Sequence, residues 1–139
     1  MFTLRLEDRL VSPLARRAVP LVVVADDDED ILALVRLRLE RSGFDVVTAR
    51  DGAEALELVT RLRPDLVVLD VAMPKLTGID VTRHLRGNPT TVDTPIVLLT
   101  ASATDGDIAR GLEAGADAYV TKPFSPQDLA ARVEALLAA

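Results

Sequence analysis

A chain of 139 residues, 49% apolar but only 3% aromatic, is one domain whose core must be built from Val, Leu, Ile and Ala. Its net charge of −6 argues against a binder of nucleic-acid phosphates, and the absence of Cys removes disulfides, thiolate nucleophiles and thiolate metal sites. No apolar run approaches the roughly 20 residues of a membrane span, and residues 1–19 lack the apolar centre of a signal peptide, so the expectation is a cytoplasmic protein.

Residues 1–19 stand apart as an N-terminal extension. Arg5, Arg9, Arg16 and Arg17 are scattered among apolar residues there, with a break at Pro13. Phe2, Leu4 and Leu6 alternate, whereas Leu6, Leu10 and Leu14 repeat at helical spacing, so no element is assigned. From Pro20 onward short aliphatic runs alternate with amphipathic stretches. Residues 21–25 have the length and composition of a strand, closed by the acidic run 26–30. A helix follows over 31–41, stopped by Ser42-Gly43. Residues 44–49 make a second strand, and Asp51 is placed to cap a helix over 53–62, with Pro64 just past its end.

The third run, 66–69, ends in Asp70. A Met-Pro loop and Gly78 separate it from a helix over 79–86. Pro95 opens a fourth strand over 96–100, and a helix over 103–114 is stopped by Gly115. Residues 118–120 form a short fifth strand before Lys122-Pro123, and Ser125 caps a last helix over 127–137. Five strands alternating with five helices mean βαβ units: an α/β fold with one doubly wound parallel sheet and helices on both faces.

In such a sheet, sites lie beyond the carboxyl ends of the strands. The polar interruptions of this chain fall there. Asp26 and Asp27 follow the first strand, Asp70 ends the third, Thr100 ends the fourth and Lys122 follows the fifth. Neighbouring strands are about 4.8 Å apart, so these carboxylates repel by roughly 1–4 kcal/mol per pair at 4 Å. A hard cation with oxygen ligands, Mg²⁺ above all, resolves the repulsion. It also neutralises a phosphoryl group and leaves one carboxylate free as nucleophile. Lys122 supplies a point charge to phosphate oxygens and Thr100 a hydrogen-bond donor. Each group alone has a plainer role: acidic residues start helices, Asp begins turns, strand-end Thr bonds to backbone, and lysines sit on surfaces. Their joint occurrence at four strand ends of one sheet favours chemistry on an acyl phosphate. His84, the sole histidine, is expected on an exposed helix face with no partner that would make it a base.

The runs VVVADDDED at 22–30, LDVAMP at 69–74, Thr100-Ala101 and GADAYVTKPF at 115–124 resemble the receiver domain of two-component response regulators. The spacings agree: 43 residues from Asp27 to Asp70, 30 from Asp70 to Thr100 and 22 from Thr100 to Lys122. The resemblance covers residues 20–139 and implies a flavodoxin-like strand order of 2-1-3-4-5. It implies that Asp70 takes a phosphoryl group from a phosphohistidine on a sensor histidine kinase or phosphotransfer protein. Asp27, Asp70 and the backbone carbonyl of Ala72 would ligate Mg²⁺, with Asp26 acting largely through water. Lys122 would contact the phosphoryl group. Thr100 would move towards it, and Tyr119 would turn inward as Thr100 moves. The Lys122–Pro123 bond would be cis. The fourth helix, fifth strand and fifth helix would form the face that meets a downstream protein.

The implied behaviour is that of a switch rather than a turnover enzyme, with self-catalysed phosphotransfer and autodephosphorylation. No direct nucleic-acid or membrane partner is expected, and homodimer formation is left open. The sequence leaves no room for an output domain after the fifth helix, so a stand-alone regulator is expected, with a receiver excised from a longer protein as the other option. Two further readings compete with this one. An Mg²⁺-dependent phosphohydrolase with an aspartyl nucleophile would want a second Asp two residues later, where this chain has Ala72. A degenerate receiver serving only as a binding module conflicts with the presence of every site residue.

Overall fold

The computed structural model describes residues 18–102 and 104–138. The expected N-terminal extension therefore lies, except for its last two residues, outside the described residues. The elements run β1 (Leu21–Ala25), α1 (Glu29–Arg41), β2 (Asp45–Ala49), α2 (Gly52–Leu62), β3 (Leu66–Asp70), α3 (Gly78–Arg86), β4 (Ile96–Thr100), α4 (Asp105–Ala114), β5 (Ala118–Thr121) and α5 (Pro126–Ala138). All strands pair in parallel, in the order β2-β1-β3-β4-β5, as expected.

The strands read as unbroken aliphatic runs because helices cover both faces of the sheet. Alternate residues point to opposite sides. Leu21, Val23, Val67, Leu69, Ile96 and Leu98 pack with Leu58 and Val59 of α2 and Val81 and Leu85 of α3. Val22, Val24, Val68, Val97 and Leu99 pack with Leu32, Val35 and Leu39 of α1 and Leu129 and Val133 of α5. β1, β3 and β4 are wholly buried. Each Val or Leu side chain in them contributes about 1.5–3 kcal/mol relative to exposure.

Local chemistry sets the helix ends. α1 begins two residues before the apolar periodicity does, because the Asp28 carboxylate accepts the backbone N–H groups of Asp30 and Ile31 at 2.9 and 3.3 Å. Asp51 caps α2 by accepting the Glu54 N–H at 2.8 Å, as the sequence predicts. Thr77 and Asp80 form a capping box on α3. Thr104 caps α4, which therefore starts at Asp105 rather than at 103. α4 stops at Gly115, where φ of 113° suits a residue without a Cβ. α2 stops instead at Arg63 in the left-handed region, at φ 47°, an end that no glycine announces.

Candidate functional site

In the β1–β3 register Ala25 faces Leu69, so Asp26 and Asp70 occupy the next position on adjacent strands. Asp26 is fully buried and Asp70 nearly so, while Asp27 is exposed. One oxygen from each of Asp26, Asp27 and Asp70 lies within 4.8 Å of the others. On the other side of the pair, the Lys122 ammonium is 2.9 Å from Asp26 Oδ2 and 3.4 Å from Asp70 Oδ1. Asp26 Oδ1 accepts the Asp28 N–H at 2.9 Å, and Asp70 Oδ1 accepts the Ala72 N–H at 3.3 Å. The Lys122–Pro123 peptide bond is cis.

The electrostatics follow from this packing. Burial, then the neighbouring Asp26 charge, pushes the Asp70 carboxyl up to about 6, against the pull of Lys122 and the Ala72 N–H. Burial alone would lower the Lys122 ammonium. The hydrogen bond to Asp26 and the charge of Asp70 outweigh it, and its value is raised. A cation fits such a site on two grounds: three carboxylates share one small space, and the buried Asp26 Oδ2 makes no hydrogen bond besides its contact with the Lys122 ammonium. An all-oxygen donor set of this charge suits a hard divalent ion.

Thr100 is buried at the end of β4, and its hydroxyl oxygen accepts the Ser102 N–H at 3.1 Å. Tyr119 packs against the core, and its hydroxyl donates to the Ser102 carbonyl at 2.8 Å. The two residues thus meet through Ser102. Its own hydroxyl bonds the Asp107 carboxylate, which also accepts from Thr104 Oγ1 at 2.7 Å. His84 is exposed on α3, away from these groups.

Three features, two beside the site and one at the far end of the strands, were not assigned from the sequence. Ser102 and Asp107 link the end of β4 to the first turn of α4. Arg86 donates to the carbonyls of Gly115, Val92 and Thr94 at 2.9, 3.0 and 2.7 Å and pairs with Asp117 at 3.0 Å. The β2–α2 turn touches the loop after Asp70 through Gly52, whose N–H donates to the Pro74 carbonyl at 3.2 Å. Asp117 lies inside the GADAYV run, and nothing local points to Arg86 as its partner.

Residues 22–134 match the model of the response regulator receiver domain. Among curated relatives, the alkaline phosphatase synthesis transcriptional regulatory protein PhoP of Bacillus subtilis strain 168 is 51% identical over 116 residues, which are 84% of this chain and 48% of PhoP. The transcriptional regulatory protein PrrA of Mycobacterium tuberculosis is 50% identical over 118 residues, or 85% of this chain and 50% of PrrA. The chain spans about half the length of these relatives. Among solved structures, the receiver domain of Francisella response regulator 1452 superposes with a TM-score of 0.81 at 39% identity, over 86% of this chain and 97% of that one. The BeF3-activated DrrB receiver domain gives 0.79 at 36% identity, over 87% and 99%. No helix of the described residues is long and apolar enough to cross a membrane. On the strength of the family match over residues 22–134, the chain belongs to the response-regulator receiver domains of two-component signalling.

Proposed function

We propose that Asp70 is the phosphoacceptor, taking a phosphoryl group from a phosphohistidine of a sensor histidine kinase or phosphotransfer protein in the cytoplasm. The observation that carries this is the position of Asp70 Oδ1, on a buried strand end 3.4 Å from the Lys122 ammonium and beside a second buried carboxylate. An Asp70 oxygen attacks phosphorus, the P–N bond breaks, and the electron pair leaves with the imidazole. Asp27, Asp70 and the Ala72 carbonyl, with Asp26 acting largely through water, would hold Mg²⁺, which when bound would neutralise charge on the transferring group. Lys122, freed from its bridge between Asp26 and Asp70, pairs with the phosphoryl oxygens. Thr100 donates its hydroxyl hydrogen, since its oxygen is the atom that accepts the Ser102 N–H. Tyr119 then reports the change to the face made by α4, β5 and α5, where a downstream protein docks. The chain catalyses its own phosphorylation and dephosphorylation in this scheme. Ala72, two residues beyond Asp70, has no proton to transfer, which supports a switch over a phosphohydrolase.

Incubation with Mg²⁺ and acetyl phosphate, read by intact mass, tests the proposal. The parent chain gains the mass of one phosphoryl group and Asp70→Asn gains none. Equal phosphorylation of Asp70→Asn would overturn it.

A further inference from the structure

The loop that follows the proposed phosphoacceptor, residues 71–77, carries Ala72 past the metal site before α3 begins. Its near end is tied to β3: the Ala72 N–H donates to Asp70 Oδ1 at 3.3 Å, and the Gly78 N–H donates to the Val71 carbonyl at 3.0 Å. Met73 is buried in the core on the α2 and α3 side of the sheet. The far side of the loop rests on a different part of the chain, the turn between β2 and α2. There the Gly52 N–H reaches the Pro74 carbonyl at 3.2 Å, and Asp51 Oδ2 pairs with the Lys75 ammonium at 3.4 Å.

The fit at Gly52 leaves no room for a side chain. A Cβ there would overlap the Leu76 carbonyl oxygen and lie 2.6 Å from both the carbonyl carbon and the Cβ of Leu76. Two of those three atoms are backbone, so a side chain at 52 displaces the loop rather than a rotamer. Lys75 holds φ at 69°, a left-handed conformation that costs a non-glycine residue and persists where its surroundings impose it. Asp51 serves both elements at once: Oδ1 caps α2 through the Glu54 N–H at 2.8 Å while Oδ2 faces Lys75. The Glu54 N–H and the Lys75 charge hold the Asp51 carboxyl below its ordinary value despite partial desolvation, so it is ionised at neutral pH.

We propose that the β2–α2 turn is a positioning element for the metal site, with Gly52 and Asp51 holding the 71–77 loop so that Ala72 and Asp70 bind Mg²⁺ together. The inference rests on the reading of Asp70, Asp27 and Ala72 as ligands. Gly52 and Asp51 touch neither metal nor phosphoryl group. They act through the loop, as supporting groups around a metal site do when their loss costs about 10–100-fold in affinity.

The test is titration of the full chain with MgCl₂ by calorimetry, with thermal melts in EDTA and phosphorylation by acetyl phosphate across a Mg²⁺ series. Gly52→Ala weakens Mg²⁺ binding by about 10–100-fold. Asp51→Asn, which keeps the cap but loses the charge, weakens it by about twofold, as befits an ion pair open to solvent on the lysine side. In both variants half-maximal phosphorylation shifts to higher Mg²⁺, while the rate at saturating Mg²⁺ equals that of the parent. A merely structural role would lower the melting temperature in EDTA and leave this split absent. A folded Gly52→Ala chain that binds Mg²⁺ within twofold of the parent overturns the proposal. If Gly52→Ala does not fold, Asp51→Asn and Lys75→Ala decide, and unchanged Mg²⁺ affinity in both overturns it. A parent chain that binds no Mg²⁺ overturns the metal-site reading itself, and is told apart by that control.

Discussion

Lys122 and Asp26 form a contact of 2.9 Å in which the carboxylate is fully buried and the ammonium side chain is 21% exposed. The buried member depends on the pair more than the exposed one does. Removing the lysine leaves a carboxylate in the interior with only the Asp28 N–H to support it. Lys122→Met is therefore expected to destabilise the metal-free protein by about 2 kcal/mol, in the range for a hydrogen bond to a charged group. Excess Mg²⁺ should restore much of the loss, because a divalent ion replaces the missing charge and binds only the folded state. Urea denaturation in EDTA and in Mg²⁺ measures both. An equal destabilisation in the two buffers would show that the lysine and the ion do not share a role.

Asp70 makes stability depend on pH in a defined direction. Its folded value is raised from 3.8 to about 6, so between these values the folded chain holds a proton that the unfolded chain has released. The stabilising contribution of this group is complete below 3.8 and is lost as pH rises to about 6. Above that, ionised Asp70 beside Asp26 strains the metal-free fold. Asp70→Asn should therefore stabilise the protein in EDTA at pH 7 to 8 by about 1 kcal/mol, a figure reduced for solvent screening at the sheet edge. Denaturation at pH 4 and at pH 7.5 distinguishes the two regimes. A variant no more stable than the parent at the higher pH contradicts the raised value.

The Thr100 and Tyr119 hydroxyls converge on Ser102 from opposite sides, one accepting its N–H and the other donating to its carbonyl. Movement of Thr100 towards a phosphoryl group at Asp70 must disturb Ser102, and through it both Tyr119 and the Asp107 carboxylate at the start of α4. Thr100→Ala is expected to accept phosphate at Asp70 yet transmit little of it to residues 105–114. NMR with beryllofluoride, a phosphoryl mimic, compares the two proteins. Equal shifts at Tyr119 and along α4 would exclude Thr100 as the link.

Arg86 offers a prediction about stability alone. Its guanidinium satisfies carbonyls of Gly115, Val92 and Thr94 and the Asp117 carboxylate, which itself accepts the Ile96 N–H at 2.8 Å. One side chain thus ties the end of α3 to the starts of β4 and β5. Arg86→Ala leaves several partly buried acceptors unpaired and should cost roughly 2–3 kcal/mol. Mg²⁺ affinity should stay within about twofold, since the clamp sits at the opposite end of the strands from Asp70. Chemical denaturation and Mg²⁺ titration of the variant check both parts.

Much of this molecule is written locally. The aliphatic runs of 21–25, 66–69 and 96–100 have the length and composition of strands buried in a parallel sheet, and in such a sheet the groups that end them, Asp26, Asp70 and Thr100, lie on one edge. The caps at Asp51 and Ser125 and the stop at Gly115 follow from side-chain chemistry within a few residues. The expected order 2-1-3-4-5 came from resemblance to a family, and the sheet has it. α1 starts two residues before, and α4 two residues after, the position its apolar period indicates, because Asp28 and Thr104 cap them. What tertiary structure decided are contacts whose partners are far apart in the chain. Lys122 bridges Asp26 and Asp70 only because β5 lies two strands from β3 and its loop folds back. Arg86 finds Asp117 across 31 residues, and Gly52 meets Leu76 because α2 and α3 share a face of the sheet. Such pairings depend on strand register and on backbone surfaces in contact, and no periodicity within one segment encodes them.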